Sequence, residues 1–229
     1  MNQRFPMNQR ARVDPTVWAL ARWISLARLA EPELVRSIRL QLEPGAHAGT
    51  EADLWWSELV ESRTTRGIVL TEAAVRELRD ELRMLHLERD PRPSLAWSLI
   101  QQHHRQASPA VRLEEEIAWL SVSLDDPGSA IEQRLQPVLA AIVNDGRSNL
   151  GYWAGRALPY LPGIAREQPA AWYLEQYAHT MQPRLGSVGT TKAPAVVDTL
   201  RWGQPVASGP SLGLTFASRK PIFPHDTAS

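Results

Sequence analysis

Thr71-Glu72-Ala73-Ala74-Val75-Arg76-Glu77-Leu78-Arg79-Asp80-Glu81-Leu82-Arg83-Met84-Leu85 decides the fold class. A threonine hydroxyl can cap a helix N-terminus, and Val75, Leu78, Leu82 and Leu85 then recur at three- and four-residue steps, which puts one apolar stripe on one helix face. The other face carries Glu72, Arg76, Asp80 and Arg83. Their spacing suits ion pairs worth only a few tenths of a kcal/mol each, so that face reads as solvated.

The same grammar runs outward in both directions. Upstream, Asp14-Pro15 caps and opens a helix over 16–29, Pro32 opens another to Leu42, and after Glu43-Pro44-Gly45 a third is expected over Glu51 to Ser62. Gly67 marks a break and Ile68 to Leu70 an extended link. Downstream, a helix over Ser94 to Gln106 is followed by Ser108-Pro109, another cap with proline, and by Leu113, Ile117, Leu120 and Leu124 on one stripe. Asp126-Pro127 opens a helix lined by Ile131, Leu135, Val138 and Ile142, which Pro137 should kink or split. Shorter helices are expected over Leu150 to Leu158 and Pro169 to Met181, with a proline-punctuated link from Pro159 to Gly163. The expected fold is all-α, an irregular bundle of about eight or nine helices whose short connections make neighbours mostly antiparallel. Strand signal is almost absent before residue 184. Beyond it, Val196 to Trp202 and Leu212 to Ala217 are candidates for an extended or hairpin-like tail.

Charge divides the chain in the same places. Residues 1–13 hold 3 Arg and no acid, residues 14–183 hold 17 basic and 23 acidic side chains, and residues 184–229 hold 5 basic and 2 acidic. The expected organisation is a basic arm over 1–13, a helical domain over 14–183, and a tail over 184–229 rich in Gly, Pro, Ser and Thr that suits docking to a partner. An acidic body argues against nucleic acid as the partner, since phosphate binding needs a basic stripe. The apolar stretch from Val17 to Ala30 contains Arg22 and Arg28 and falls short of the roughly 20 apolar residues of a bilayer span. The expectation is a cytoplasmic protein with no membrane partner.

Chemistry-bearing motifs are sparse. With 0 Cys among 229 residues there is no disulfide framework, no thiolate nucleophile and no sulfur ligand for zinc. No P-loop, dinucleotide fingerprint, nucleophile elbow or calcium loop occurs, so no cofactor is expected and the protein reads as non-enzymatic. His103 and His104 are adjacent, about 100° apart on a helix, and cannot grip one metal as an i, i+4 pair would. Glu114-Glu115-Glu116 lies near a helix N-terminus, where the helix dipole favours carboxylates, and reads as a solvated face or a partner contact. The densest unusual feature is Trp55-Trp56 with Glu58 and Arg63. Two adjacent Trp on a helix cannot share one core stripe, and Trp and Arg are enriched at binding hot spots. The candidate protein-interaction residues are therefore Trp55, Trp56, Glu58 and Arg63, with Trp202 and Phe216 in the tail.

The stretch from Glu51 to Leu70 resembles a helical region of bacterial multi-gene conflict systems that also encode caspase-like, trypsin-like or formylglycine-generating-enzyme-like modules. The likeness extends to Arg112–Trp119, Leu150–Pro162 and Ala170–Leu174 and covers about residues 17–180. It implies an adaptor or regulatory subunit in bacterial defence, whose partner is another protein of the same gene cluster such as a protease or other effector. It brings no catalytic residues. Two alternatives stand beside it: an enzyme whose site is assembled from dispersed residues such as His103, His104, Glu115 and Arg156, and a helical DNA-binding domain.

Overall fold

The computed structural model describes residues 13–145 and 148–181, with the side chains of 143–149 and of 180–181 left aside. The described residues form ten α-helices, two short 3-10 turns and one two-stranded sheet. The helices are α1 (Pro15–Ile24), α2 (Pro32–Leu42), α3 (Gly49–Trp56), α4 (Glu72–Leu87), α5 (Arg92–His103), α6 (Pro109–Ser123), α7 (Gly128–Asp145), α8 (Ser148–Ala157), α9 (Gly163–Arg166) and α10 (Pro169–Met181). Strands β1 (Val60–Thr64) and β2 (Gly67–Leu70) lie between α3 and α4. None of the described helices is long and apolar enough to cross a membrane.

The caps fall where the sequence placed them. Asp14 accepts from the Thr16 amide at 2.7 Å, Thr71 from Ala74 at 3.2 Å and Ser108 from Val111 at 3.3 Å. Each satisfies an amide that the first helical turn leaves without a partner. The α4 stripe is buried at Val75, Leu78 and Leu82, with Leu85 packed against the same core. Its opposite face is less solvated than expected. Arg76 pairs with Glu72 at 2.7 Å, but Arg83 donates to the carbonyls of Ser121 and Asp125 and so ties α4 to the end of α6.

Four expectations need correction. α1 stops at Ile24, because Ser25 turns its hydroxyl back to the Arg22 carbonyl and the backbone beyond leaves to bond Glu115 and Ile68. α3 stops at Trp56, and the chain reverses into a hairpin where no strand was expected. The hairpin is antiparallel, pairing Val60 with Leu70, Arg63 with Ile68 and Thr64 with Gly67, with an irregularity between Val60 and Ser62. Gly67 is demanded by close approach: a Cβ there would sit 2.6 Å from the Ala30 carbonyl oxygen, across the bridge that joins Ala30 to Ile68. Of the two outcomes expected at Pro137, a kink or a split, the split does not occur, since α7 continues as one helix, and the link from Pro159 contains a 3-10 turn and the one-turn α9.

Two apolar cores result. The first gathers α1 to α5 and the hairpin around Trp23, Leu26, Leu34, Ile38, Leu54 and Leu78. The second gathers α7 to α10 around Ile131, Leu135, Leu150, Ala165 and Leu174. α6 belongs to both, giving Ala118 and Val122 to the first and Leu113 and Ile117 to the second. A helix apolar on two faces is what a shared wall between two cores requires.

Candidate interaction surface

α3 ends in the pair Trp55-Trp56, and the two rings separate as adjacent helical positions must. Trp55 is half-buried against the first core, whereas Trp56 is 76% exposed. The hairpin then brings Arg63 back beside the end of α3. Its Nε donates to the Trp55 carbonyl at 2.5 Å and its Nη2 to the Ser57 carbonyl at 2.8 Å. The guanidinium thus caps carbonyls that a helix C-terminus leaves unpaired, where a cation also meets the negative end of the helix dipole. From that fixed position it lies 5.6 Å from the Trp56 ring centroid, within cation–π range. Glu58 is exposed on the connecting loop. Three of the four body candidates, Trp56, Glu58 and Arg63, therefore share an exposed corner, and Trp55 anchors it from beneath. Trp202 and Phe216 lie outside the described residues.

Sequence reasoning missed a second exposed aromatic pair. Trp172 and Tyr173 on α10 are 53% and 54% exposed and meet edge to face, with centroids 4.9 Å apart. The signal was two consecutive aromatics on a short helix, the same signal as Trp55-Trp56.

The histidines and the glutamate run turn out differently. The run is a correction: Glu114 and Glu115 are buried, and only Glu116 keeps a surface role, pairing with Arg134 at 2.9 Å. Glu115 receives the Arg28 backbone amide at 2.8 Å and His104 Nδ1 at 2.7 Å, while His104 Nε2 reaches Glu31 at 2.7 Å. Glu114 accepts the Trp153 indole N–H at 2.8 Å and lies 3.0 Å from Arg28 Nε. Arg28 also stacks on Tyr160, 4.2 Å from the ring centroid, and the Tyr160 hydroxyl donates to Glu61 at 2.7 Å. Arg79 adds bonds to the Ser25 and Tyr160 carbonyls. The result is a charged seam between the two cores, drawn from α4, α6, α8, β1, the loop after α1 and the 3-10 turns that follow α5 and α8.

Electrostatics follow from that packing. Burial alone would lower the His104 pKa, but its bonds to Glu115 and Glu31 outweigh burial and hold it up at about 10. His104 is thus an imidazolium donating from both nitrogens. Glu31 moves the opposite way: partial burial pushes it up, but the His104 bond and the charge on His104 together bring it below its ordinary value. Burial raises Glu114 despite Arg28 beside it, and burial with the Glu61 bond pushes Tyr160 up to about 12. Burial, with Arg28 near, brings Arg79 down to about 10.

Of the four dispersed residues considered for catalysis, His104 and Glu115 converge and the other two do not join them. His103 is exposed and meets Ser37 Oγ at 3.1 Å, and Arg156 is exposed on α8. His47 and His179 are exposed, and His86 packs edge-on against Trp119. No protein family, curated protein or solved structure matches the chain.

Proposed function

We propose that this protein is a non-enzymatic adaptor or regulatory subunit that binds another protein through the Trp56–Arg63 corner, in a bacterial defence or conflict system. The observation that carries the reading is a large aromatic ring left in water while the cation stacked on it is fixed by two backbone carbonyls. Burying an exposed Trp against a partner removes much apolar area from water, and a pre-fixed Arg loses little rotamer freedom on binding. The Glu51–Leu70 resemblance supplies the setting, a partner encoded in the same gene cluster, and the tail with Trp202 and Phe216 is the second docking element of the proposal. Co-expression with the neighbouring genes, then size-exclusion chromatography and mass spectrometry of the peak, tests it. A stable complex lost in Trp56→Ala supports the corner, and loss on truncation after Pro183 supports the tail. A lone monomer in every co-expression overturns the adaptor.

Acid–base catalysis has one observation in its favour, the His104–Glu115 contact. That reading needs an imidazole that changes protonation near neutral pH. Proton-coupled NMR of the His104 ring decides it: a titration midpoint near 7 supports catalysis, and a ring that stays charged beyond pH 9 supports a structural clamp.

A further inference from the structure

A cavity of about 20 Å³ lies in the charged seam, lined by Arg28, Arg79, Glu114, Glu115 and Tyr160 together with the apolar Leu26, Ala27 and Val75. A single water requires roughly 10–15 Å³ and two to four polar partners. The seam supplies both. Glu114 is 8% exposed, its Oε1 accepts the Trp153 indole N–H, and its Oε2 accepts no hydrogen bond from any described residue. Arg28 Nε stands 3.0 Å from that oxygen, an ion-pair contact without the alignment of a hydrogen bond. Glu115 Oε1 already accepts from the Arg28 amide and from His104, whereas its Oε2 has no hydrogen bond among the described residues. Arg79 directs Nε and Nη1 to the Ser25 and Tyr160 carbonyls, which leaves the donors of Nη2.

We infer that this cavity binds one structural water, which donates to Glu114 Oε2 and Glu115 Oε2 and accepts from the Arg79 guanidinium. Size and polarity select the occupant. The volume suits one water and no larger ligand. Two guanidiniums and two carboxylates line it, so neither an anion nor a cation is favoured over a neutral molecule that both donates and accepts. An apolar cavity of this kind stays dry, but this one offers an orphaned carboxylate oxygen that only a donor can satisfy. The water then completes the seam by joining Arg79 on α4 to the glutamates on α6, a bridge nearly as good in enthalpy as a direct hydrogen bond. The site is independent of the Trp56–Arg63 corner.

Nuclear Overhauser effects from water to methyl protons, measured on the full chain, test the site. Methyl protons do not exchange with solvent, so a signal at Leu26, Ala27 or Val75 reports contact and not proton transfer. The expected result is an effect at these methyls with the negative sign of a long-held water. Val75→Leu adds a methylene at the cavity wall, and it should abolish the effect at Leu26 and Ala27 while the remaining spectrum is unchanged. A high-resolution crystal structure of the wild-type chain checks the site without any variant: a solvent peak is expected within about 3.2 Å of both Glu114 Oε2 and Glu115 Oε2. No water signal at these methyls, a signal of the opposite sign from passing solvent, a signal that survives Val75→Leu, or no such peak in the crystal would each overturn the inference. The first of these, with the carboxyl carbon shift of a neutral Glu114, would assign Oε2 to a bound proton instead.

Discussion

The Trp56–Arg63 corner and the His104–Glu115 seam use the same kinds of residue, an aromatic ring or imidazole beside charged groups, and they spend them in opposite ways. At the seam both ring nitrogens of His104 are committed to carboxylates, and Glu115 Oε1 takes a backbone amide and the imidazolium together. At the corner the cation is committed and the ring is not. Proximity of chemistry-bearing side chains is therefore a poor guide to function, and what decides is which of their surfaces remain unspent. The seam holds two cores together, and the corner faces outward.

The largest expected effect lies in the seam. Glu115→Ala strips the partner from a buried imidazolium and from the Arg28 amide, and breaking a buried ion pair on one side costs about 3–5 kcal/mol. Urea unfolding followed by circular dichroism measures it. A loss below about 1 kcal/mol would mean that water reaches the seam freely, and the contrast between spent and unspent groups would fail there.

The pH dependence of stability sharpens the same point. His104 binds its proton more tightly folded than unfolded, so its contribution is complete below its ordinary value of 6.5 and is lost as pH rises toward about 10. Glu31 is depressed, so its contribution is present above its ordinary 4.5 and is lost as pH falls below that. Wild-type stability should decline between pH 7 and pH 10, and His104→Gln should flatten that decline while lowering the neutral value. An unchanged slope in the variant would show that other groups set the alkaline limb.

A smaller effect is expected where α8 meets α6. Trp153→Phe keeps most of the ring and removes the N–H that Glu114 accepts, leaving a buried carboxylate with one partner fewer. The expected cost is about 1–3 kcal/mol in the same unfolding assay, and a neutral result would show that Arg28 alone satisfies Glu114.

How far these regions were legible in the sequence follows from the range of the interactions that make them. The caps at Asp14, Thr71 and Ser108 and the stripe on α4 are local, and they stand where the residues put them. The hairpin escaped because Leu59 to Ser62 was read as the end of the preceding helix, which left Ile68 to Leu70 as an extended link with no strand to pair with. Yet Val60, Thr64, Ile68 and Val69 are β-branched, and Thr65-Arg66 before Gly67 supplies the turn. Glu114 and Glu115 escaped for a different reason: a helix N-terminus explains acidic residues locally, which hid the long-range partners Arg28 and Trp153. One signal was available. Glu115, Ala118 and Val122 are spaced three and four apart, so the carboxylate continues a stripe that is otherwise apolar, and a charge on such a stripe needs a buried partner. The Trp55-Trp56 corner was legible because its argument was geometric: two adjacent rings cannot face one core.

The smallest expected change in stability belongs to the corner itself. Trp56→Ala removes a ring that is 76% in water and stacks with Arg63, so unfolding free energy should move by no more than about 0.5 kcal/mol. Arg63→Ala should cost somewhat more, about 0.5–1 kcal/mol, because it uncaps the end of α3. The order matters more than either value. If Trp56→Ala destabilises by 2 kcal/mol or more (roughly the cost of emptying a core site), the ring is packed in solution and the corner becomes a second seam. If it is neutral, a Trp costly to leave in water is held there without contributing to the fold, and the loss that accompanies Trp56→Ala must be sought in partner binding.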